Sequence, residues 1–326
     1  GLSPLLQEAL RLMDGAEEIV FVERDLSSAY QWYATFGEYA DEQTFIHPPD
    51  GSRLCTINLR TKKVTVLLDE PKGGFRDPRV HYDGKKLLFA YRKGGTHHYH
   101  LCEMNTDGSG FRQLTFGDCD DVDPAYLPDG GIIFASSRCN RFIACNRVPT
   151  AILYRMDGDG GNILRLSANA IPDDRPAVLP DGRIVYTRWD YTDRDPEKFR
   201  DLWVMNPDGT GQMVLFGGVG RPYPDFFAKC DALPIPGADK LVSVFSPAFG
   251  RRENAGNVMV VDVKAGPGDW SAAEQVSPND PKLGWSIGSG QGRDGFRDPY
   301  PLSENCFLVA KDKSLLVLDG NGKTEE

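Results

Sequence analysis

Asp123–Arg138, DPAYLPDGGIIFASSR, and Ile152–Leu166, ILYRMDGDGGNILRL, bracket the stretch whose reading decides the fold. A short apolar segment, residues 124–127, meets a Pro-Asp-Gly turn at residues 128–130. A β-rich run, residues 132–136, follows and ends in Arg138. After a loop come a third run at residues 152–156, a turn rich in Asp and Gly, and a fourth run at residues 163–166. Asp-Gly turns supply positive φ at little steric cost, and β-branched and aromatic residues suit the pleated runs between them. Four short strands joined this way predict one blade of a propeller.

The unit recurs along the chain. DPRVHYDGKKLLFAYR (77–92) and HLCEMNTDGSGFRQLT (100–115) copy its two halves, as do RPAVLPDGRIVYTR (175–188) and DLWVMNPDGTGQMVL (201–215). DALPIPGADKLVSVFSP (231–247) with NVMVVDV (257–263) is a weaker copy, and DPYPLSENCFLVA (298–310) with SLLVLDGNGK (314–323) a shortened one. The first turns fall at Asp83, Asp129, Asp181 and Gly237, spacings of 46, 52 and 56 residues, which suit four-stranded blades with loops of variable length. Blades seeded near residues 18, 77, 123, 175, 231 and 298 predict an all-β, six-bladed β-propeller.

These motifs also carry a resemblance. The D-P-x-x-x-x-D-G and N-x-D-G-x-G-x-x-x-L patterns resemble the PD40 repeats of TolB-like propellers. The order FRDPRVHYDGKKLLFAYRKGG, SSRCNRFIAC, LPDGRIVYTRWDYTDR, LWVMNPDGTGQM and FRDPYPLSENCFLVA is similar to the middle propeller domain of the hydrazine synthase alpha-subunit family, over about residues 18–323. The resemblance implies a shared propeller. Hydrazine synthase is a haem enzyme, yet this chain has no CxxCH for c-type haem attachment, so the resemblance does not bring that chemistry with it.

Composition narrows the class. The 326 residues are 40% hydrophobic and 26% charged, ordinary for a globular protein, and the 35 Gly and 23 Pro are spread among turns. No apolar run approaches the roughly 18 residues that cross a bilayer. A net charge of −10 speaks against general affinity for nucleic acid, although arginine can still concentrate locally. None of the seven cysteines forms CxxC, which removes zinc-ribbon and thioredoxin readings. Cys139 and Cys145 share one loop, so a disulfide there and free buried thiols both stay open. No signal peptide is visible; because TolB-like propellers are commonly exported, the expectation is a periplasmic or extracellular protein, with the cytoplasm as the alternative.

Outside the repeats, residues 1–17 form a separate N-terminal segment before a propeller domain at 18–326. PLLQEALRLM (4–13) predicts an amphipathic helix that covers a sheet edge or an end of the ring. The long loop at 24–51 carries Tyr30, Trp32, Tyr33, Phe36 and Tyr39, either loop packing or a platform for sugars. At the other end, residues 314–319 are expected to close the last blade at its third strand. The first blade begins at its second strand, residues 18–23, so the expectation is either an incomplete seam, with the parent protein continuing beyond Glu326, or a seam patched by residues 1–17 or a neighbouring copy.

Blade geometry turns the repeat into a site. In an antiparallel meander, the turns after the first and third strands share one face, and these are short and stereotyped. The opposite face collects the irregular loops, where binding residues concentrate. The candidate ligand-binding residues there are Arg92, Arg138, Arg188, Asp190, Tyr191 and Arg251 from loops after second strands, and Asp77, Asp123 and Asp298 from connections between blades. A guanidinium fork suits carboxylate or phosphate, so an acidic small molecule, an acidic glycan or a protein partner is expected; the competing reading is a structural belt of ion pairs. His98 and His100, placed to share one face of a strand, are a candidate pair of divalent-metal ligands. No other cofactor is evident. GxSxG, HExxH and P-loop motifs are missing. The leading reading is a non-catalytic module that binds a ligand or partner at this mouth. A carbohydrate-active lyase or hydrolase on acidic glycans is the alternative, and a propeller part of a haem redox assembly the third.

Overall fold

The computed structural model describes residues 1–25, 37–39, 41–145, 147–192, 199–218, 228–246, 254–278 and 295–326. They form two compact units, one from residues 18–176 and the other from residues 1–17 and 177–326. Arg251 lies outside the described residues, as do Tyr30, Trp32, Tyr33 and Phe36.

In the unit of residues 18–176, β1 (Glu18–Arg24) is followed by a small hairpin of β2 (Glu38–Tyr39) and β3 (Phe45–Ile46). β4 (Ser52–Asn58) and β5 (Val64–Glu70) complete a three-stranded sheet in the order β1-β4-β5. β6 (Gly74–Val80), β7 (Lys86–Arg92), β8 (His100–Asn105) and β9 (Arg112–Gln113) make a four-stranded antiparallel meander. β10 (Asp121–Tyr126), β11 (Ile132–Ser136), β12 (Ile152–Met156) and β13 (Leu164–Arg165) repeat it. The expected Asp-Gly chemistry closes the first hairpins: Asp83 and Asp129 each accept the N–H two residues on (2.9 and 3.0 Å), and Gly84 and Gly130 take positive φ. Leu54, Phe75, Leu87, Phe89, Cys102 and Met104 join the first two sheets in one apolar core. Each such fully buried large side chain contributes about 1.5–3 kcal/mol.

The inner strands hold a feature the repeat only hinted at. Asp77 and Asp123 are not in connections between sheets; they sit inside β6 and β10, at bulges where the register slips between Arg76 and Arg79 and between Val122 and Ala125. Both have left-handed backbones, φ 54° and 50°. Short polar side chains tolerate this region best, which explains Asp at the bulge. Asp77 Oδ2 accepts the backbone N–H of Asp123 (3.0 Å), so the bulge staples one inner strand to the next.

β14 (Asp173–Val178) crosses from one unit to the other, with Arg175 left-handed at φ 54°. The second unit continues with β15 (Ile184–Trp189), β16 (Arg200–Met205) and β17 (Met213–Phe216). A lone parallel bridge, Arg200 to Ala228, links β16 to β18 (Ala228–Pro234), which leads the meander β18-β19-β20-β21 with β19 (Lys240–Ser246), β20 (Asn257–Asp262) and β21 (Ala273–Gln275). The last sheet is β22 (Phe296–Ser303), β23 (Cys306–Lys311), β24 (Ser314–Asp319) and β25 (Thr324–Glu325). Asp231 in β18 and Asp298 in β22 repeat the left-handed bulge, φ 54° and 49°, so Asp298 too is a strand residue. β25 corrects the expectation that the last sheet stops at its third strand: Thr324 and Glu325 pair with Leu318 and Val317. The helix α1 (Pro4–Leu12), capped by Ser3, buries Leu5, Leu6, Ala9 and Leu10 and packs on β22, β23 and β24. The Ser3 hydroxyl donates to the Glu325 carboxylate.

Candidate functional site

The loop end of the unit of residues 18–176 gathers charge and aromatic rings. Arg92 ends β7 and Arg138 follows β11, each at the opposite end of its strand from the Pro-Asp-Gly-type turn. The loop holding His97 and His98 precedes β8, and the β2–β3 hairpin lies against it. The Phe45 ring stands 5.7 Å from His97 and 5.4 Å from His98, and Tyr39 stands 5.0 Å from Phe45 and 5.7 Å from Phe142. The Tyr39 N–H donates to the carbonyl of Arg147 (2.9 Å), tying the hairpin to the loop after β11. Three of the chain's five histidines, His47, His97 and His98, form a chain of ring contacts, His47 to His97 at 6.1 Å and His97 to His98 at 6.4 Å.

The charges beneath this surface are matched in pairs. Fully buried Arg92 donates to Asp50 Oδ1 (2.7 Å) and to the carbonyls of Pro48 (3.1 Å) and Thr96 (3.3 Å). Arg138 donates from Nη2 to both carboxylate oxygens of fully buried Asp121 (2.7 and 2.9 Å), and lies 5.6 Å from the rings of Phe134 and Tyr154. Ser136 Oγ donates to Asp121 as well (2.6 Å). Asp120, also fully buried, accepts the Tyr99 N–H (2.8 Å) and faces His98 Nδ1 (3.0 Å). That hydrogen bond raises the His98 pKa above the ordinary histidine value, against the effect of burial.

His98 and His100 are not a strand pair: His98 lies in the loop, and His100 opens β8 with Nδ1 3.7 Å from Asp121 Oδ2. Among the described residues, no group of three or more His, Cys, Asp or Glu is placed to hold a metal ion. All seven cysteines are free thiols, Cys139 and Cys145 included. Burial pushes Cys102 up to about 12 and Cys119 and Cys306 up to about 11, which keeps them protonated and poor nucleophiles.

Inside the same unit, Arg76 bridges the two bulge aspartates. It donates to Asp77 Oδ2 (2.6 Å) and, at 3.4 Å, to Asp123 Oδ1. Burial opposes the Asp77 charge, but Arg76, Arg24 and the Asp123 N–H hold its pKa down to about 2. Burial and the neighbouring Asp77 charge push Asp123 up to about 8, opposed by Arg76 and Arg175. One carboxylate of the pair is charged at neutral pH and the other keeps its proton.

In the other unit, Arg188 lies flat on its own sheet. Its guanidinium is 4.5 Å from the Trp203 ring and 5.4 Å from Tyr186, and it donates to Gln212 Oε1 (2.8 Å). Gln212 in turn donates to the carbonyl of Gly209 in the Asn-Pro-Asp-Gly turn, so the Arg188 head points away from the loop end of its strand. The Asp190 N–H is bonded to the Phe199 carbonyl (2.7 Å); Tyr191 is exposed beside Trp189, ring centroids 5.6 Å apart; Asp298 is exposed at its bulge.

The sequence did not single out Asp50, Asp120 or the Asp201–Lys229 pair. Asp120 stands in an acid-rich DCDDVDP run in which nothing marks one carboxylate as buried. Lys229 carried a faint signal, a lysine in a strand that is apolar apart from it and the bulge Asp231. These pairings carry a prediction. Arg138→Ala leaves Asp121 buried and short of a donor, and is expected to lower stability by about 1–3 kcal/mol. Arg188→Ala loses ring stacking at a cost of about 0.5–2 kcal/mol. Urea denaturation of the two variants checks both; an unchanged midpoint for Arg138→Ala would show the pair to be energetically idle.

No family model matches the chain. Hydrazine synthase subunit alpha of Kuenenia stuttgartiensis is 42% identical in an alignment that takes in 80% of this chain and 37% of that protein, so the chain spans little more than a third of the relative's length. The solved structure of Kuenenia stuttgartiensis hydrazine synthase superposes with a TM-score of 0.70, covering 95% of this chain and 44% of that one at 22% identity. The sequence alignment carries the relationship; the superposition, with its lower identity over a longer span, carries the fold. TolB from Acinetobacter baumannii (TM-score 0.57, 13% identity, 94% of this chain and 62% of that one) and a putative TolB from Agrobacterium tumefaciens (0.54, 18%, 82% and 85%) share the fold as well. The chain is therefore a sequence relative of hydrazine synthase subunit alpha that carries a TolB-like β-propeller fold.

Proposed function

We propose that the chain is a six-bladed propeller module without chemistry of its own, and that it docks a protein partner through the loop end built by β2–β3, the histidine loop and the loop after β11. The observation that supports this most is the internal matching of charge. Arg92 and Arg138 are committed to Asp50 and Asp121, and this end exposes large apolar side chains among its polar ones. Phe142 is 54% exposed, Phe116 66% and Ile46 44%, values that mark an unburied apolar surface rather than a sealed core. Six blades are supported by the five left-handed bulges of the inner strands together with the sheet that β1 begins. The relative's name, a subunit of hydrazine synthase, agrees with a part that works within an assembly. The acidic-glycan reading has less support, because the Arg138 and Arg188 guanidinium groups it needs already have partners.

A photo-crosslinking residue at Phe142 or Phe116, in protein produced in its native host, is expected to yield a discrete crosslinked polypeptide. The same probe at Phe111, next to the opposite turn, is the control. Equal labelling from all three positions, or none from any, would overturn the docking reading. Release of unsaturated uronates from an acidic glycan panel would replace it with the lyase.

A further inference from the structure

The turns between β8 and β9, β12 and β13, β16 and β17, and β24 and β25 share one construction and differ at one residue. Gly108, Gly160, Gly209 and Gly322 take φ 86°, 94°, 86° and 86°. Each donates its N–H to the carbonyl three residues back, that of Asn105, Asp157, Asn206 and Asp319. The residue before the glycine is Asp107, Asp159 or Asp208 in three of the turns and Asn321 in the fourth. Asn321-Gly322 is the only Asn-Gly pair in the 326 residues.

The three aspartates are tied down. Oδ1 of Asp107, Asp159 and Asp208 accepts the N–H two residues on, at 2.9 Å in each case. Hydrogen bonds from Ser109 and Thr210 also hold the Asp107 and Asp208 pKa values below the ordinary aspartate value. Each stays a carboxylate anion, which is a poor electrophile. In the fourth turn Asp319 takes over this work: its Oδ1 accepts the N–H of Asn321 and of Lys323, both at 2.9 Å. The Asn321 side chain is left exposed and, among the described residues, without a hydrogen bond of its own. It is a neutral amide, free to turn, and the next backbone nitrogen belongs to a glycine with no side chain to stand in the way.

We propose that Asn321 is a site of spontaneous deamidation, and that its isoaspartyl product releases helix α1. The Gly322 nitrogen gives up its proton and attacks Asn321 Cγ, and the side-chain nitrogen leaves as ammonia. Water then opens the cyclic imide at one of its two carbonyls. One opening gives aspartate, the residue the other three turns already carry. The other gives isoaspartate, in which the main chain runs through the side-chain carbon and is one methylene longer.

The turn has little room for that methylene, since even a Cβ on Gly322 would lie 3.2 Å from the Val276 carbonyl oxygen. β25, which follows, has only Thr324 and Glu325 to hold its pairing with Leu318 and Val317. The Glu325 carboxylate accepts the Ser3 hydroxyl, and Ser3 Oγ caps α1 by accepting the Leu6 N–H (3.2 Å). A longer main chain at residue 321 moves so short a strand out of register and draws Glu325 away from Ser3. The site is remote from the loop-end docking surface and stands or falls separately.

The test ages the whole chain in warm, mildly alkaline buffer and follows it by peptide mapping and isoaspartyl methyltransferase labelling. Conversion is expected at Asn321 well ahead of the other asparagines, with isoaspartate among the products. In the isoaspartyl fraction, amide exchange at residues 6–12 is expected to be at least about tenfold faster than in fresh chain, and exchange in β11 unchanged. Asn321→Gln, whose carbonyl lies one carbon further from the Gly322 nitrogen, is expected to stay unmodified and to keep α1 protected through the same ageing. Fresh Asn321→Asp, which adds the charge but no main-chain atom, is expected to keep α1 protected too. Conversion at Asn321 no faster than at the chain's other asparagines would remove the site. Unchanged α1 exchange in the isoaspartyl fraction, or equal loosening in fresh Asn321→Asp, would overturn the release of the helix by the longer main chain.

Discussion

Lys229→Ala is expected to be the most damaging single truncation, costing about 3–5 kcal/mol. Lys229 is fully buried in β18, and its ammonium donates to Asp201 Oδ1 at 2.6 Å while standing 5.0 Å from the Trp270 ring. Asp201, in β16, is buried too and accepts the Gly218 N–H at 2.9 Å. Gly217 is held just as closely: a Cβ there would lie 2.3 Å from Asp201 Oδ1. A buried ion pair is only weakly stabilising as a whole, because both charges are stripped of water. Removing one partner is costly because the other charge stays behind. The pair of changes Lys229→Met and Asp201→Asn, which keeps an acceptor for Gly218 and removes both charges, is therefore expected to recover most of the loss. Urea denaturation of the single and double variants measures this. A single variant within about 1 kcal/mol of the parent would mean that water reaches the site.

The second large effect is at Arg76, and it depends on pH. Arg76 is buried between Asp77 and Asp123, and Arg76→Ala at pH 8 is expected to cost about 3–5 kcal/mol. The two carboxyl groups act in opposite senses. Asp77, held near 2, is below its unfolded value of about 3.9, so its contribution is present above that value and is lost as pH falls towards 2. Asp123, raised to about 8, contributes most when protonated; its contribution is full below about 4 and is lost as pH rises through about 8. The parent is therefore expected to lose stability at this site as pH rises from about 4 through about 8, at up to about 1.4 kcal/mol per pH unit, and Asp123→Asn, which tolerates the left-handed backbone, to flatten that slope. The Arg76→Ala penalty is expected to be smaller at pH 5, where Asp123 holds its proton. Denaturation curves at pH 5, 7 and 9 decide the matter; an unchanged slope in Asp123→Asn would place the titrating group elsewhere.

Sequence alone determined the repeat, its tight turns and the positions of Arg92 and Arg138 at strand ends, because each of these is local. An Asp-Gly pair fixes the sense of a hairpin within four residues, and the alternating run beside it pairs with its neighbour whatever lies beyond. The four-stranded meanders of β6–β9 and β10–β13 follow from that chemistry. The outer strand β25 escaped notice because Thr324 and Glu325 are too short to show a period. The partners of the charges were also beyond reach. Arg92 meets Asp50 across 42 residues, His98 meets Asp120 across 22, and Lys229 meets Asp201 across 28. A carboxylate in a sequence looks the same whether water or a buried guanidinium will neutralise it; only the packing of one sheet against the next removes the water. That packing also gives Arg92, Arg138 and Arg188, three of the arginines expected to bind an anion, ion-pair, hydrogen-bond and ring partners within the chain. It also moved Asp77, Asp123 and Asp298 from connecting loops into bulged inner strands, since a bulge exists only relative to the strand it fails to match.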